Sequence, residues 1–264
     1  MEGKAVLLTG ASGAIGSEVA RRLAARGARL VLSARRADRL EQLADELAAA
    51  GAPRPVVAPA DLSRRGAAAE LAAQAGDVDV LVNNAGASVQ GLSWVVGDRD
   101  EARTVLETNL WSPLALTAAL APAMVRRGEG TIVNVGSMAR VSPFPHLGVY
   151  AASRSALATV TEVLDMELRP RGVRVVEVAL GPVDTPASRE NRVLAGAERW
   201  LDGRPGIGEA GAAADAIVAA AAEGARGVAF YPPVLRWVHR LPGLGRRYAR
   251  RAARGADLED VTIR

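Results

Sequence analysis

Seven short apolar runs punctuate the chain, at residues 5–9, 29–33, 55–58, 78–83, 131–136, 174–180 and 227–231. Between them lie stretches rich in alanine, leucine and arginine with helical spacing, such as residues 15–26 and 39–50. Strands that alternate with helices argue for parallel βαβ units. Strands this continuously apolar are covered on both faces. The pattern therefore predicts an α/β fold: one doubly wound parallel sheet of about seven strands with helices on both sides. A chain of 264 residues that is 49% hydrophobic buries a core of that size in a single domain.

The first run leads directly into Thr9-Gly10-Ala11-Ser12-Gly13-Ala14-Ile15-Gly16, which opens the first helix. Glycines there permit a tight turn and close backbone approach, so that a pyrophosphate can rest on the unpaired amides and positive dipole of the helix start. Strand, turn and helix stand in the order a dinucleotide site requires. The second run ends in Ser33-Ala34-Arg35-Arg36, where such folds inspect the adenosine ribose. An acidic residue there accepts hydrogen bonds from a 2'-hydroxyl, whereas Arg35 offers a charge-assisted fork to a 2'-phosphate. NADP(H) is thus expected rather than NAD, with Arg36 beginning a solvated helix. Asp61-Leu62 follows the third run and Asn83-Asn84-Ala85-Gly86 the fourth, both at the carboxyl ends of strands, where ligands of open sheets collect. Asp61 serves equally well as a helix N-cap, and the asparagines as turn residues.

With no cysteine and only His146 and His239 as imidazoles, redox chemistry must come from a bound cofactor. The stretch Tyr150-Ala-Ala-Ser-Arg154 sets a phenol one helical turn from a permanent cation. An opposite charge within roughly 4–6 Å moves a pKa by about 1–3 units, enough to make tyrosine a usable acid or base. The same spacing is also that of an ordinary helix-surface contact.

Taken together, TGASGAIG, NNAG, the Ser137 that closes Asn134-Val135-Gly136-Ser137, and YAASR resemble the short-chain dehydrogenase/reductase family over about residues 4–231. The resemblance implies a Rossmann-like fold and a homodimer or homotetramer. It also implies that Ser137 and Tyr150 contact a reacting carbonyl, with Arg154 in the place of a lysine that binds the nicotinamide ribose and Asn109 in a proton relay. Gly10, Ser12, Gly13, Ile15, Gly16, Arg35, Asp61, Leu62, Asn83, Ala85, Gly86, Gly181, Val183 and Thr185 then border the cofactor, Asp61 at adenine and Thr185 at the nicotinamide amide. Two departures stand out: Leu180-Gly181-Pro182 where Pro-Gly is usual, and arginine for lysine at 154. Lys4 is the one lysine in a chain with 33 basic residues. Arginine keeps the charge but is longer, planar and harder to deprotonate, which puts rapid turnover in question. Asn109 has a further argument: Pro113, four residues on, has no amide hydrogen to give its carbonyl, so a kink and a free acceptor are expected there.

The implied activity is NADP(H)-dependent interconversion of a carbonyl compound and an alcohol. A cofactor-binding protein that has lost turnover and a non-redox isomerase remain as alternatives. Trp94, Trp111, Met138, Phe144 and Leu147 are expected either to rim an apolar substrate pocket or to be core. The dinucleotide-binding and catalytic domain is drawn at residues 1–231, with a mobile lid at about 186–208. Residues 232–264 form a Pro- and Arg-rich extension; from Arg226 to the end there are nine arginines against Asp257, Glu259 and Asp260. Its mixture of Leu235, Trp237, Leu241, Leu244 and Tyr248 with arginine suits an anionic membrane surface, packing within or between subunits, or disorder. No nucleic-acid motif accompanies the charge. The uncharged run 110–125 falls short of the roughly 20 residues of a spanning helix. A start that reads as a strand rather than a signal segment makes the cytoplasm the expected location.

Overall fold

The computed structural model describes residues 1–186, 188–189, 208–222 and 224–252. Strands β1 (Ala5–Thr9), β2 (Arg29–Ser33), β3 (Val56–Val57), β4 (Val80–Asn83), β5 (Gly130–Ser137), β6 (Val173–Leu180) and β9 (Gly227–Tyr231) form one sheet in the order β3-β2-β1-β4-β5-β6-β9. Every neighbouring pair is parallel. All seven correspond to the apolar runs of the sequence. A second sheet of two short strands, β7 (Val183–Asp184) and β8 (Gly208–Glu209), was not anticipated, because two-residue strands carry no periodicity to read.

Alternation along the strands divides the core into two layers. Val6 and Leu8, with Leu30, Leu32, Val80, Val82, Val133, Val135, Val176 and Val178, bury against α1 (Ala14–Ala24), α2 (Ala37–Ala49) and α8 (Ala210–Ala222). The opposite parity, Leu7, Val31, Leu81, Ile132, Val173 and Val175, meets α3 (Ala67–Ala75), α6 (Ser112–Arg127) and α7 (Gly148–Leu168). Period-two alternation between two apolar layers is what a parallel sheet with helices on both faces demands. Between them lie α4 (Ser93–Val96) and α5 (Asp100–Leu106), and after β9 come α9 (Leu235–Arg240) and α10 (Pro242–Ala252).

β1 and β4 are sheet neighbours, while β2 and β3 lie on the other side of β1. Chain order reverses at that point, and the carboxyl ends of β1 and β4 open a crevice there. The loops after β1, β4 and β5 therefore converge by topology, although they lie some 50 to 130 residues apart in sequence.

Candidate functional site

The turn after β1 requires glycine at two positions. Gly10 has φ +66°, and a Cβ on it would lie 2.9 Å from the Ala85 Cα; a Cβ on Gly16 would lie 2.1 Å from the Gly10 carbonyl oxygen. Gly13 opens α1 without a side-chain cap, so the first-turn amides of α1 keep no side chain of their own to accept them. Ser12 and Ile15 flank that start. The loop after β4 is locked on to this turn. Thr9 Oγ1 accepts from the amides of Asn84 and Ala85, each at 3.0 Å, and Asn84 Nδ2 donates to the carbonyls of Thr9 at 3.0 Å and Gly10 at 3.3 Å. Thr9 and Asn84 belong to motifs legible in the sequence, but their mutual pairing needed the fold. Such a cradle, tight enough to exclude a Cβ and led by uncapped amides, fits the diphosphate of a dinucleotide.

At the end of β2, Arg35 is exposed. Its charge, after hydrogen bonds from the Ser63 hydroxyl and amide, helps to hold the Asp61 carboxyl below its usual range. Asp61 Oδ1 accepts from Ser63 Oγ at 2.7 Å and Ser63 N at 3.1 Å, a local turn that aims the carboxylate beside Arg35. Leu62 is buried, and its carbonyl accepts from Ser112 Oγ at 2.8 Å, tying this loop to the head of α6. Asn83 is buried and donates to Asn134 Oδ1 at 2.8 Å, while Asn134 donates to Thr161 Oγ1 at 2.9 Å; three elements are thereby pinned behind the crevice.

Tyr150 and Arg154 lie on one face of α7. The Arg154 guanidinium carbon is 5.3 Å from the centre of the Tyr150 ring, and Nη1 donates to the Val135 carbonyl at 3.1 Å. Arg154 is 7% exposed, a buried cation rather than a surface contact. Gly86 makes room for it, because a Cβ there would sit 2.3 Å from Arg154 Nη2. Burial opposes ionisation of the Tyr150 phenol, but the Arg154 charge, with hydrogen bonds to Ser137 and Arg154, outweighs burial and holds the phenol below its ordinary pKa. Ser137 closes β5, and its Oγ also accepts from Ala139 N at 3.2 Å.

Asn109 is wholly buried at the centre of a π turn, Glu107–Trp111, between α5 and α6. The sequence predicts a proline kink here; the turn that precedes Pro113 is a π turn, wider by one residue than an α-helical turn and a device common at functional sites. Asn109 Oδ1 accepts from Ala87 N at 2.8 Å, and Nδ2 donates to Ala87 O and Ser153 Oγ, each at 2.9 Å. Ser153 in turn donates to the Tyr150 carbonyl at 2.7 Å. Ser153 thus couples the π turn to the tyrosine, a role that its place inside YAASR gave no reason to assign.

Beyond β6, Gly181 N donates to Tyr231 O at 2.7 Å, and Val183 pairs with Gly208 in the small sheet. Thr185 and Ser188 exchange hydrogen bonds at 3.1 Å. Most of the expected lid, residues 186–208, lies outside the described residues, as do the side chains of Leu244 and Tyr248. Of the expected rim, Met138 is buried, whereas Trp94 is 79% and Trp111 56% exposed. An apolar groove of about 470 Å³ runs elsewhere, between α6 and α7, lined by Leu114, Thr117, Ala121, Pro122, Leu164 and Leu168 among others.

One carboxylate near this cluster went unnoticed in the sequence. Glu177 on β6 is 2% exposed, and burial pushes it up to about 7 against the opposing charges of Arg140 and Arg154. A carboxyl with a raised folded value binds its proton more tightly in the folded chain than in the unfolded one. The stability this contributes is present below the unfolded value of about 4.5 and is lost as pH rises through about 7. Relative to Glu177→Gln, the native chain is expected to lose about 3 kcal/mol across that window. Denaturant melts of both proteins at pH 5 and pH 8 check this; equal pH dependence in the two would refute it.

Residues 4–193 match the family model for short chain dehydrogenase. The chain is 40% identical over 192 residues to the dehydrogenase/reductase SDR family member 7B of Bos taurus, which aligns 69% of this chain and 59% of that protein. It thus spans about three fifths of the length of the curated relative. Among solved structures, the short-chain dehydrogenase from Sphingobium yanoikuyae in complex with NADPH is 28% identical with a TM-score of 0.76, covering 99% of this chain and 98% of that one. A 3-oxoacyl-[acyl-carrier protein] reductase with bound NAD from Brucella melitensis is 28% identical with a TM-score of 0.76, covering 87% of this chain and 89% of that one.

Proposed function

The chain belongs to the short chain dehydrogenase family, and we propose that it is an NADP(H)-dependent carbonyl reductase in which Tyr150 is the general acid. One observation carries this reading: Ser137, Tyr150 and a buried Arg154 meet at the carboxyl end of β5, beside a glycine cradle shaped for a dinucleotide. When bound, NADPH supplies the hydride that reduces the carbonyl carbon. Tyr150 Oη gives its proton to the carbonyl oxygen, and Ser137 Oγ steadies that oxygen by donating a hydrogen bond. The phenolate left behind is stabilised by Arg154 until solvent reprotonates it. Asn109, anchored through Ser153, holds the Tyr150 turn of α7 in place and presents a carbonyl to which Pro113 gives no amide. NADPH oxidation followed over a panel of ketones and aldehydes tests the reading. Tight NADPH binding with no oxidation by any of them would favour a binding protein without turnover.

The choice of NADP(H) over NAD(H) rests on Arg35, exposed at the β2 end with Asp61 already engaged by Ser63. Arg35→Ser is expected to weaken NADPH binding by about tenfold or more, the loss of a charge-assisted hydrogen bond, while NADH affinity stays within about twofold. Fluorescence titration with both nucleotides reads the ratio; an unchanged ratio would remove Arg35 from cofactor selection.

Two surfaces support proposals about partners. Val163 and Met166 on α7 are 44% and 62% exposed beside the apolar groove of α6, a face suited to a second copy of this chain. On α9 and its flanks, Val234, Trp237 and Leu241 are exposed, with the Arg236 and Arg240 guanidiniums 5.1 and 5.3 Å from the Trp237 ring. That pairing of apolar and cationic groups fits a peripheral contact with anionic lipid, and among the described residues no helix is long and apolar enough to cross a membrane. Sedimentation in buffer and with anionic vesicles reads both: a dimer or tetramer mass, and pelleting that Trp237→Ser abolishes. A monomer, or pelleting indifferent to Trp237, would overturn the respective proposal.

A further inference from the structure

We propose that Arg140 is a positioning residue for Ser137, clamped between buried Glu177 and His239 of α9, so that the C-terminal segment is a working part of the catalytic domain. The inference rests on the reading of Ser137 and Tyr150 as the reacting pair. Arg140 stands three residues after Ser137, at the end of the single turn Met138–Arg140, within which Ala139 N binds Ser137 Oγ. Its side chain turns inward instead of into solvent, with 13% exposed. Nε lies 3.2 Å from Glu177 Oε1, and Nη2 lies 3.3 Å from His239 Nδ1. The His239 ring packs on Phe230 of β9, with centroids 5.1 Å apart. On the other side of Ser137, a Cβ at Gly136 would fall 2.2 Å from Glu177 Oε1. Glu177 therefore abuts the residue before Ser137 and faces the turn after it through an ion pair with Arg140 that is close but not aligned as a hydrogen bond. The Arg140 carbonyl is also within 3.5 Å of Ser155 Oγ on α7.

A fully buried carboxylate costs several kcal/mol unless it is paired. Here the pairing is spent on the segment that carries Ser137. The charged groups facing Glu177 are Arg140 from the turn and Arg154 and Glu162 from α7, with His239 and Arg240 of α9 beyond Arg140. Because Arg154 faces both Glu177 and Tyr150, ionised Glu177 offsets part of the positive field at the phenol. Burial and Arg140 both lower the His239 pKa, which keeps Nδ1 free to accept from Arg140.

The test is an ultraviolet phenolate titration of the full chain without cofactor, with the Tyr150→Phe titration subtracted, alongside NADPH affinity and the pH profile of kcat. Glu177→Gln is expected to shift the Tyr150 midpoint downward, since an opposing negative charge has gone. Arg140→Ala is expected to shift it upward as the Ser137 hydrogen bond loosens, with kcat lowered at least about tenfold and NADPH affinity within about twofold; Arg140→Lys restores part of the rate. His239→Phe keeps the packing on Phe230, and a smaller shift in the direction of Arg140→Ala is expected. Midpoints unmoved in Glu177→Gln and in Arg140→Ala would overturn the proposal. If Arg140→Ala does not fold, Arg140→Lys and His239→Phe carry the test, and midpoints unmoved in both overturn it equally. An inactive native chain whose midpoints still shift would count against the reductase reading alone, whereas an active chain with fixed midpoints would count against the clamp alone.

Discussion

Tyr150→Phe is expected to slow carbonyl reduction by about a hundred- to ten-thousandfold while leaving NADPH affinity within about twofold. The substitution removes one oxygen and keeps the ring against which the Arg154 guanidinium lies at 5.3 Å. What is lost is the phenol, the group among Ser137, Tyr150 and Arg154 whose pKa is held below its ordinary value and which can pass a proton to a carbonyl oxygen. Ser137 donates but does not ionise, and Arg154 stays charged. Binding should persist because the glycine turn after β1 and the Thr9–Asn84 lock are untouched. Steady-state rates and fluorescence titration on the same preparation separate the two effects. Undiminished reduction by Tyr150→Phe would remove the residue from the chemistry.

The second large effect is expected at Arg154. With the guanidinium replaced in Arg154→Met, burial acts on the phenol against the Ser137 hydrogen bond alone, and its pKa should rise by about 1–3 units, a cost of about 1.4–4 kcal/mol in reaching phenolate. The apparent pKa of Tyr150 in the pH profile of kcat should move up by the same amount. Arg154→Lys preserves the charge and is expected to equal or exceed the native rate. An ammonium donates in any direction and frees the space against Gly86 that Nη2 now fills. A collapse of Arg154→Lys to nothing would show that the planar fork, and its bond to the Val135 carbonyl, has a role that charge alone does not fill.

The sheet was legible because each of its strands is a run of apolar residues bounded by polar or glycine turns, and both faces are covered. β3 came out as two residues where four were expected, since Pro55 removes a ladder donor and only Val56 and Val57 pair with β2. The site was legible where chemistry is concentrated in consecutive residues, as in the glycine turn and YAASR. It was not legible where a role arises from contacts across the fold. Ser153 matters because the π turn brings Asn109 to it from 44 positions away, and Glu177 because β6 sets it beside a turn whose Arg140 is 37 positions earlier. Spacing does not encode such meetings. The reason for Gly86 likewise became visible only with the guanidinium of Arg154 against it.

Arginine at 154 raised the question of whether turnover survives, and a single-turnover experiment answers it with the fewest assumptions. NADPH carrying deuterium on the reactive ring carbon would be mixed with the full chain and a panel of ketones and aldehydes. The account predicts that the label appears on the carbinol carbon of a product alcohol, and that Tyr150→Phe slows this transfer without weakening nucleotide binding. Tight NADPH binding with the label retained on the nicotinamide, for every carbonyl tried, would contradict it.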